Sequence, residues 1–129
     1  MNLLQEYLML AIEVVAFNEY ENKRSVSDYN RKATRMRKIA TEIETDHPDL
    51  KQEFCELLSH ENKEIRLWVA HHILEVMNCD LSCRKAALKE IRHKARTDKT
   101  TNGLGERMWL NKWYAAHPKD WLILMHPLA

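Results

Sequence analysis

Turn-forming residues are scarce in this chain. Its 129 residues include only two glycines, Gly103 and Gly105, and three prolines, Pro48, Pro118 and Pro127. Sheet proteins need many such residues and helical bundles few, so the scarcity argues against a β architecture. An excess of charge of one sign is also missing: 20 Lys and Arg face 19 Asp and Glu, and a net +1 creates no global field for a polyanion. Long apolar runs are absent too. The longest late run, Trp121 to Met125, is far below the roughly 20 residues needed to cross a bilayer. The opening MNLLQEYLMLAIEVVAF lacks a basic leader and is interrupted by Glu6 and Glu13, which suits an amphipathic helix better than a signal peptide. Cysteines number three, Cys55, Cys79 and Cys83. An odd count without an export signal predicts free thiols and a cytoplasmic protein.

Catalytic signatures are missing as well. There is no Gly-rich phosphate loop, no H-E-x-x-H and no G-x-S-x-G; SHENKEIR has a His-Glu pair but no second histidine at the required spacing. Adjacent His71 and His72 project about 100° apart on a helix and cannot chelate one metal as an i, i+4 pair does. Cys79 and Cys83 are one residue too far apart for a C-x-x-C site. A set with His72 and His93 is conceivable, but a thiol on either side of a helix cap is the simpler reading. No enzyme, metal or cofactor is therefore expected.

What is present is helical periodicity. With 45% hydrophobic residues the chain can build one core, and residues 1–129 read as a single all-α domain of about six helices. Leu4, Leu8, Ala11 and Val15 mark a first helix, ending in the polar NEYENKRS. A second, capped by Ser25 or Ser27, buries Tyr29, Ala33, Met36, Ala40 and Ile43. A third starts at Pro48 after Asp46 or His47 and buries Leu50, Phe54, Leu57 and Leu58. A fourth spans about Asn62 to Met77. The fifth begins after Asp80 or Ser82, reaches about Arg96, and buries Ala87, Leu88, Ile91 and Ala95. TDKTTNGLGE reads as the longest loop, before a sixth helix from about Leu104 to Ala116; the tail HPKDWLILMHPLA should lie against the end of the domain.

The fourth helix holds the most informative pattern. Ile65, Val69, Ala70, Ile73, Leu74, Val76 and Met77 crowd one face, with Arg66 directed into it, so Arg66 must find a carboxylate or free carbonyls. Glu64, His71, Glu75 and Asn78 lie opposite, with Trp68 and His72 on the margin. The run Ile65-Arg66-Leu67-Trp68-Val69-Ala70-His71-His72-Ile73 resembles the V-R-x-x-A-A-x-x-L pattern of the second helix of a HEAT repeat, and FCELLSHENKE resembles the end of a first HEAT helix and its turn. The resemblance spans Asp49 to Val76 and implies HEAT-like antiparallel hairpins in a short α-solenoid. More loosely, the chain resembles small bacterial HEAT-like proteins, some of which serve as immunity proteins against a cognate toxin of contact-dependent growth inhibition.

Charge is segregated along the sequence. Arg31, Arg35 and Lys38 form one basic stripe and Lys85, Lys89, Arg92 and Arg96 another. Between them, Glu42 to Glu64 holds eight carboxylates against Lys51 and Lys63. Two binding readings follow. The resemblance implies a non-catalytic inhibitor that covers a toxin, for instance a nuclease, with an acidic and aromatic surface: Asp49, Glu53, Glu56, Glu64, Trp68, His71, Glu75, Trp109 and Trp113. The alternative is nucleic-acid binding through Arg31, Arg35, Lys38, Lys85, Lys89, Arg92 and Arg96, ranked second because the total charge is near neutral and no nucleic-acid motif is present. A scaffold or adaptor role is a plainer third. No membrane partner is expected.

Overall fold

The structure is a computed structural model that describes residues 1–125, with the side chains described through Leu122. Within them the chain is all-α, with seven α-helices and no strand: α1 Leu3–Val15, α2 Lys23–Asp46, α3 Lys51–Glu56, α4 Lys63–Val76, α5 Leu81–Thr97, α6 Thr101–Ala116 and α7 Pro118–Met125. No helix among the described residues is long and apolar enough to cross a membrane. The expected third helix is interrupted. A 3-10 turn, Pro48–Leu50, precedes α3 and another, Leu57–Ser59, follows it, and none of the three has a side-chain cap.

Local chemistry explains the helix starts. Asn2, Asn22, Asn62, Asp80 and Thr100 each accept backbone N–H groups that would otherwise lack partners, and Asn2 forms a reciprocal capping box with Gln5. α2 therefore begins at Lys23 under Asn22, ahead of the expected Ser25 or Ser27. The expected long loop before the sixth helix is short, because α6 starts at Thr101 and contains both glycines. The tail adds a seventh helix, docked through Asp120, which is 5% exposed and accepts hydrogen bonds from Arg84 and from the Trp113 indole. Trp121 and Leu122 remain exposed, and the rest of the tail's side chains lie outside the described residues.

α4 is the central element. It packs against α1, α2, α3 and α5, while α5 continues to α6 and α7. The core is formed by Tyr7 and Ala11 of α1, Met36, Ile39 and Ile43 of α2, Phe54 of α3, Ile65, Val69 and Ile73 of α4, and Leu88 and Ile91 of α5. Burying this apolar surface is the main stabilising term. Ion pairs then join neighbouring helices: Arg35 with Glu6, Arg37 with Glu75, Lys94 with Glu64, and Arg84 with Asp120. Arg66 finds both partner types expected of it, donating to Glu90 at 2.9 Å and to the carbonyl of His60 at 2.8 Å.

Cys55 of α3 and Cys83 of α5 are joined as a disulfide, with Cα atoms 6.2 Å apart. This corrects the expectation of three free thiols. Cys79 alone is free, and burial raises its pKa. The conceivable Cys-Cys-His-His set does not assemble: Cys83 is in the disulfide and His72 faces Tyr7.

Candidate functional site

A groove of about 660 Å³ lies between the α1–α2 connection, α4 and the first turns of α6. Its aromatic wall comes from Phe17 and Tyr20 of the connection, Tyr29 of α2 and Trp68 of α4. Phe17 packs edge-on against Tyr20, with centroids 4.8 Å apart, and lies 4.7 Å from Tyr29. Tyr20 stands at the rim, 72% exposed.

The polar wall is built around His71. Its Nδ1 lies 3.1 Å from Glu75 and its Nε2 2.7 Å from Glu106, so both ring nitrogens face carboxylates and both must carry hydrogen. Burial opposes the charge on His71, but the hydrogen bonds to Glu106 and Glu75 outweigh it and raise the pKa to about 9. Glu75 is held down at about 2, chiefly by its bond to His71 and also by Arg37, against the effect of burial. Glu75 further accepts from Arg37 at 2.9 Å and from the Trp109 indole at 3.1 Å. Trp109 packs edge-on against His71 at 4.5 Å and stacks on Trp113, which stacks on His117.

His72 behaves in the opposite way. It is 4% exposed, where a marginal position was expected, and its Nδ1 lies 2.7 Å from the Tyr7 hydroxyl. That hydroxyl has no other partner among the described residues, so the buried phenol and imidazole satisfy each other through one shared hydrogen bond. Burial, aided by the charge of Arg37, lowers the His72 pKa to about 4, so the ring is neutral at pH 7. His72 also lines the groove, and its Nε2, which has no hydrogen-bond partner among the described residues, is a polar contact point for whatever enters. The Trp68 indole N–H is a second polar group without a partner among these residues.

Of the expected partner-binding residues, Glu64, Trp68, His71 and Glu75 line this groove. Trp109 and Trp113 extend from it along α6. Asp49, Glu53 and Glu56 are exposed near α3 and do not line it. The groove's carboxylates are neutralised internally, Glu64 by Lys94, Glu75 by Arg37 and His71, and Glu106 by His71. The groove is therefore polar and aromatic, without the expected net acidity. Sequence reasoning missed Phe17, Tyr20, Tyr29, Arg37 and Glu106. Three aromatics within thirteen residues around NEYENKRS were the available signal.

The basic stripes fare unequally. Arg31 pairs with Asp28, and Arg35 with Glu6 and Glu42, while Lys38 is exposed. On α5, Lys85 is engaged, Lys89 and Arg96 are exposed, and Arg92 is half-buried. α4 packs against both α2 and α5, separating the two stripes. Among the described residues no three His, Cys, Asp or Glu side chains are grouped to hold a metal. Compared with protein-family models, curated proteins and solved structures, the chain matches none.

Proposed function

We propose that the protein acts by stoichiometric binding of a protein partner, without catalysis, and that the partner is a toxin domain whose active site it covers. The observation that carries the binding part is the groove, with four aromatic side chains around two polar groups that lack partners among the described residues, the Trp68 indole N–H and His72 Nε2. An aromatic or polar side chain of a partner can be desolvated against Trp68 and Tyr29 while bonding to His72, as interface anchors do. The exposed Asp49, Glu53 and Glu56 have no paired cation among the described residues and would steer a basic partner by long-range attraction. The toxin as partner rests on the resemblance to HEAT-like immunity proteins.

The chemistry of the site supports binding over turnover. His71 is held as an imidazolium between carboxylates and is a poor base at neutral pH, while burial lowers the His72 pKa to about 4 and makes it a weak one. The test is capture of a partner by the tagged protein from its native lysate, with and without nuclease, followed by mass spectrometry. The expected result is one near-equimolar protein that arrests growth when expressed alone and is neutralised by this chain at a one-to-one ratio. Trp68→Ala and Tyr20→Ala should each weaken that complex at least about tenfold. No growth-arresting partner, or full affinity in both variants, would overturn the reading.

A further inference from the structure

The other side of the α5–α6 hairpin carries a second cleft, also of about 660 Å³. Arg92 and Arg96 of α5, Lys99 of the connection, Arg107 and Tyr114 of α6, and Trp121 of α7 surround it. Its floor is apolar, formed by Ala95 and Leu110. Four cations and no carboxylate line this space. The nearest acids are committed elsewhere: Glu90 to Arg66, Asp98 to Lys94 and Thr100, and Asp120 to Arg84 and Trp113.

This differs from the rest of the surface, where Arg35, Arg37, Arg66 and Arg84 each meet a carboxylate. Arg96 and Lys99 have no acidic partner among the described residues, and Arg107 donates only to the backbone carbonyls of Ala95 and Asp98. Gathering like charges costs self-repulsion, which an anion would relieve. Arginine suits phosphate, because its planar fork can donate two hydrogen bonds to one group.

Aromatic groups narrow the ligand further. Trp121 is 45% exposed beside the cations, and Tyr114 lies against the same cleft. A polyacidic peptide would use the charges and leave the exposed Trp121 ring without a stacking partner, and a duplex keeps its bases stacked inside. A single strand offers both phosphates and free base faces. Arg92 and Arg96 lie one helical turn apart on α5 and both line the cleft. We propose that this cleft binds single-stranded nucleic acid, with Arg92, Arg96, Lys99 and Arg107 holding phosphates and Trp121 stacking on a base. The site shares no lining residue with the groove and does not depend on the toxin reading.

The experiment is fluorescence anisotropy of the full chain with a labelled oligothymidylate of about a dozen nucleotides, in a KCl series, with the matching oligouridylate, a duplex and polyglutamate as competitors. About four phosphate contacts predict a log Kd against log salt slope near 3 in magnitude. Arg96→Glu with Lys99→Glu should weaken binding more than about tenfold and reduce that slope by roughly 1.4. Trp121→Ala should weaken binding about tenfold while leaving the slope unchanged, and both variants should keep the wild-type circular dichroism spectrum. Either single strand displacing the probe better than duplex and polyglutamate supports the assignment. Equal competition by polyglutamate would reduce the cleft to a general acidic-partner surface and overturn it, as would duplex preference or an unaltered Kd in the variants.

Discussion

Adjacent histidines on one helix are driven to opposite charge states by what faces them. His71 meets two carboxylates, and His72, buried at the base of the groove, meets a phenol. The folded pKa of His72, about 4, lies below its ordinary value of 6.5, so the stability from burying it neutral is complete above pH 6.5 and lost as pH falls toward 4. His71, at about 9, is the reverse: its contribution is complete below pH 6.5 and lost as pH rises through 9. Stability should therefore peak near pH 6.5 and decline on both sides, with an acid loss from His72 of roughly 3 kcal/mol. Urea melts across that range check this, and His71→Gln should flatten the alkaline limb; stability that climbs from pH 6.5 to 9 in the wild type would contradict the assigned charges. Tyr7→Phe isolates the other half of the pair. It removes the hydroxyl from His72 and leaves a buried ring nitrogen unsatisfied, so the urea midpoint should fall by the equivalent of about 1–3 kcal/mol at an unchanged m-value.

Glycine has two different jobs in α6. A Cβ built on Gly103 would sit 1.9 Å from the carbonyl oxygen of Asp98, whereas one on Gly105 meets nothing within 4 Å. Gly103 is thus what allows the first turn of α6 to close onto the end of α5, and Gly103→Ala should cost at least about 2 kcal/mol. Gly105→Ala should stabilise the protein by about 0.5–1 kcal/mol through helix propensity, and thermal melts of the two variants should shift in opposite directions. The pair also shows why this segment was misread from sequence, since glycine needed for close approach looks the same as glycine needed for a turn. α4 and α5 were legible because one-sided apolar periodicity and the Asn62 and Asp80 caps are local signals. Tyr7 was not, because its burial depends on Phe54 and His72, 47 and 65 residues away. The groove was legible only in its α4 part. Its other walls come from α2, the α1–α2 connection and α6, and their approach to α4 is a long-range property that helical spacing does not encode.

At the scale of the whole molecule, the α5–α6 hairpin separates two surfaces of different chemistry. Lys94 and Glu106 turn to the groove, where each is neutralised by α4, whereas Arg96 and Arg107, close to them in sequence, turn to the basic cleft. A net charge of only +1 thus conceals a face whose cations have no carboxylate beside them. Because the two surfaces share no lining residue, substitutions on each should act independently, as separated sites without common partners do. Trp68→Ala should lower affinity for the protein partner about tenfold or more while leaving oligonucleotide binding within about twofold of wild type; Arg96→Glu with Lys99→Glu should do the opposite. Measuring both affinities in both variants gives a square of four values. A loss of both activities in either variant, with folding intact, would mean that the hairpin transmits an effect between its faces or that one extended surface serves both ligands. A diagonal pattern would show two independent recognition sites on one all-α chain, and α4, which packs against α1, α2, α3 and α5, supplies the rigid frame that makes that independence physically reasonable.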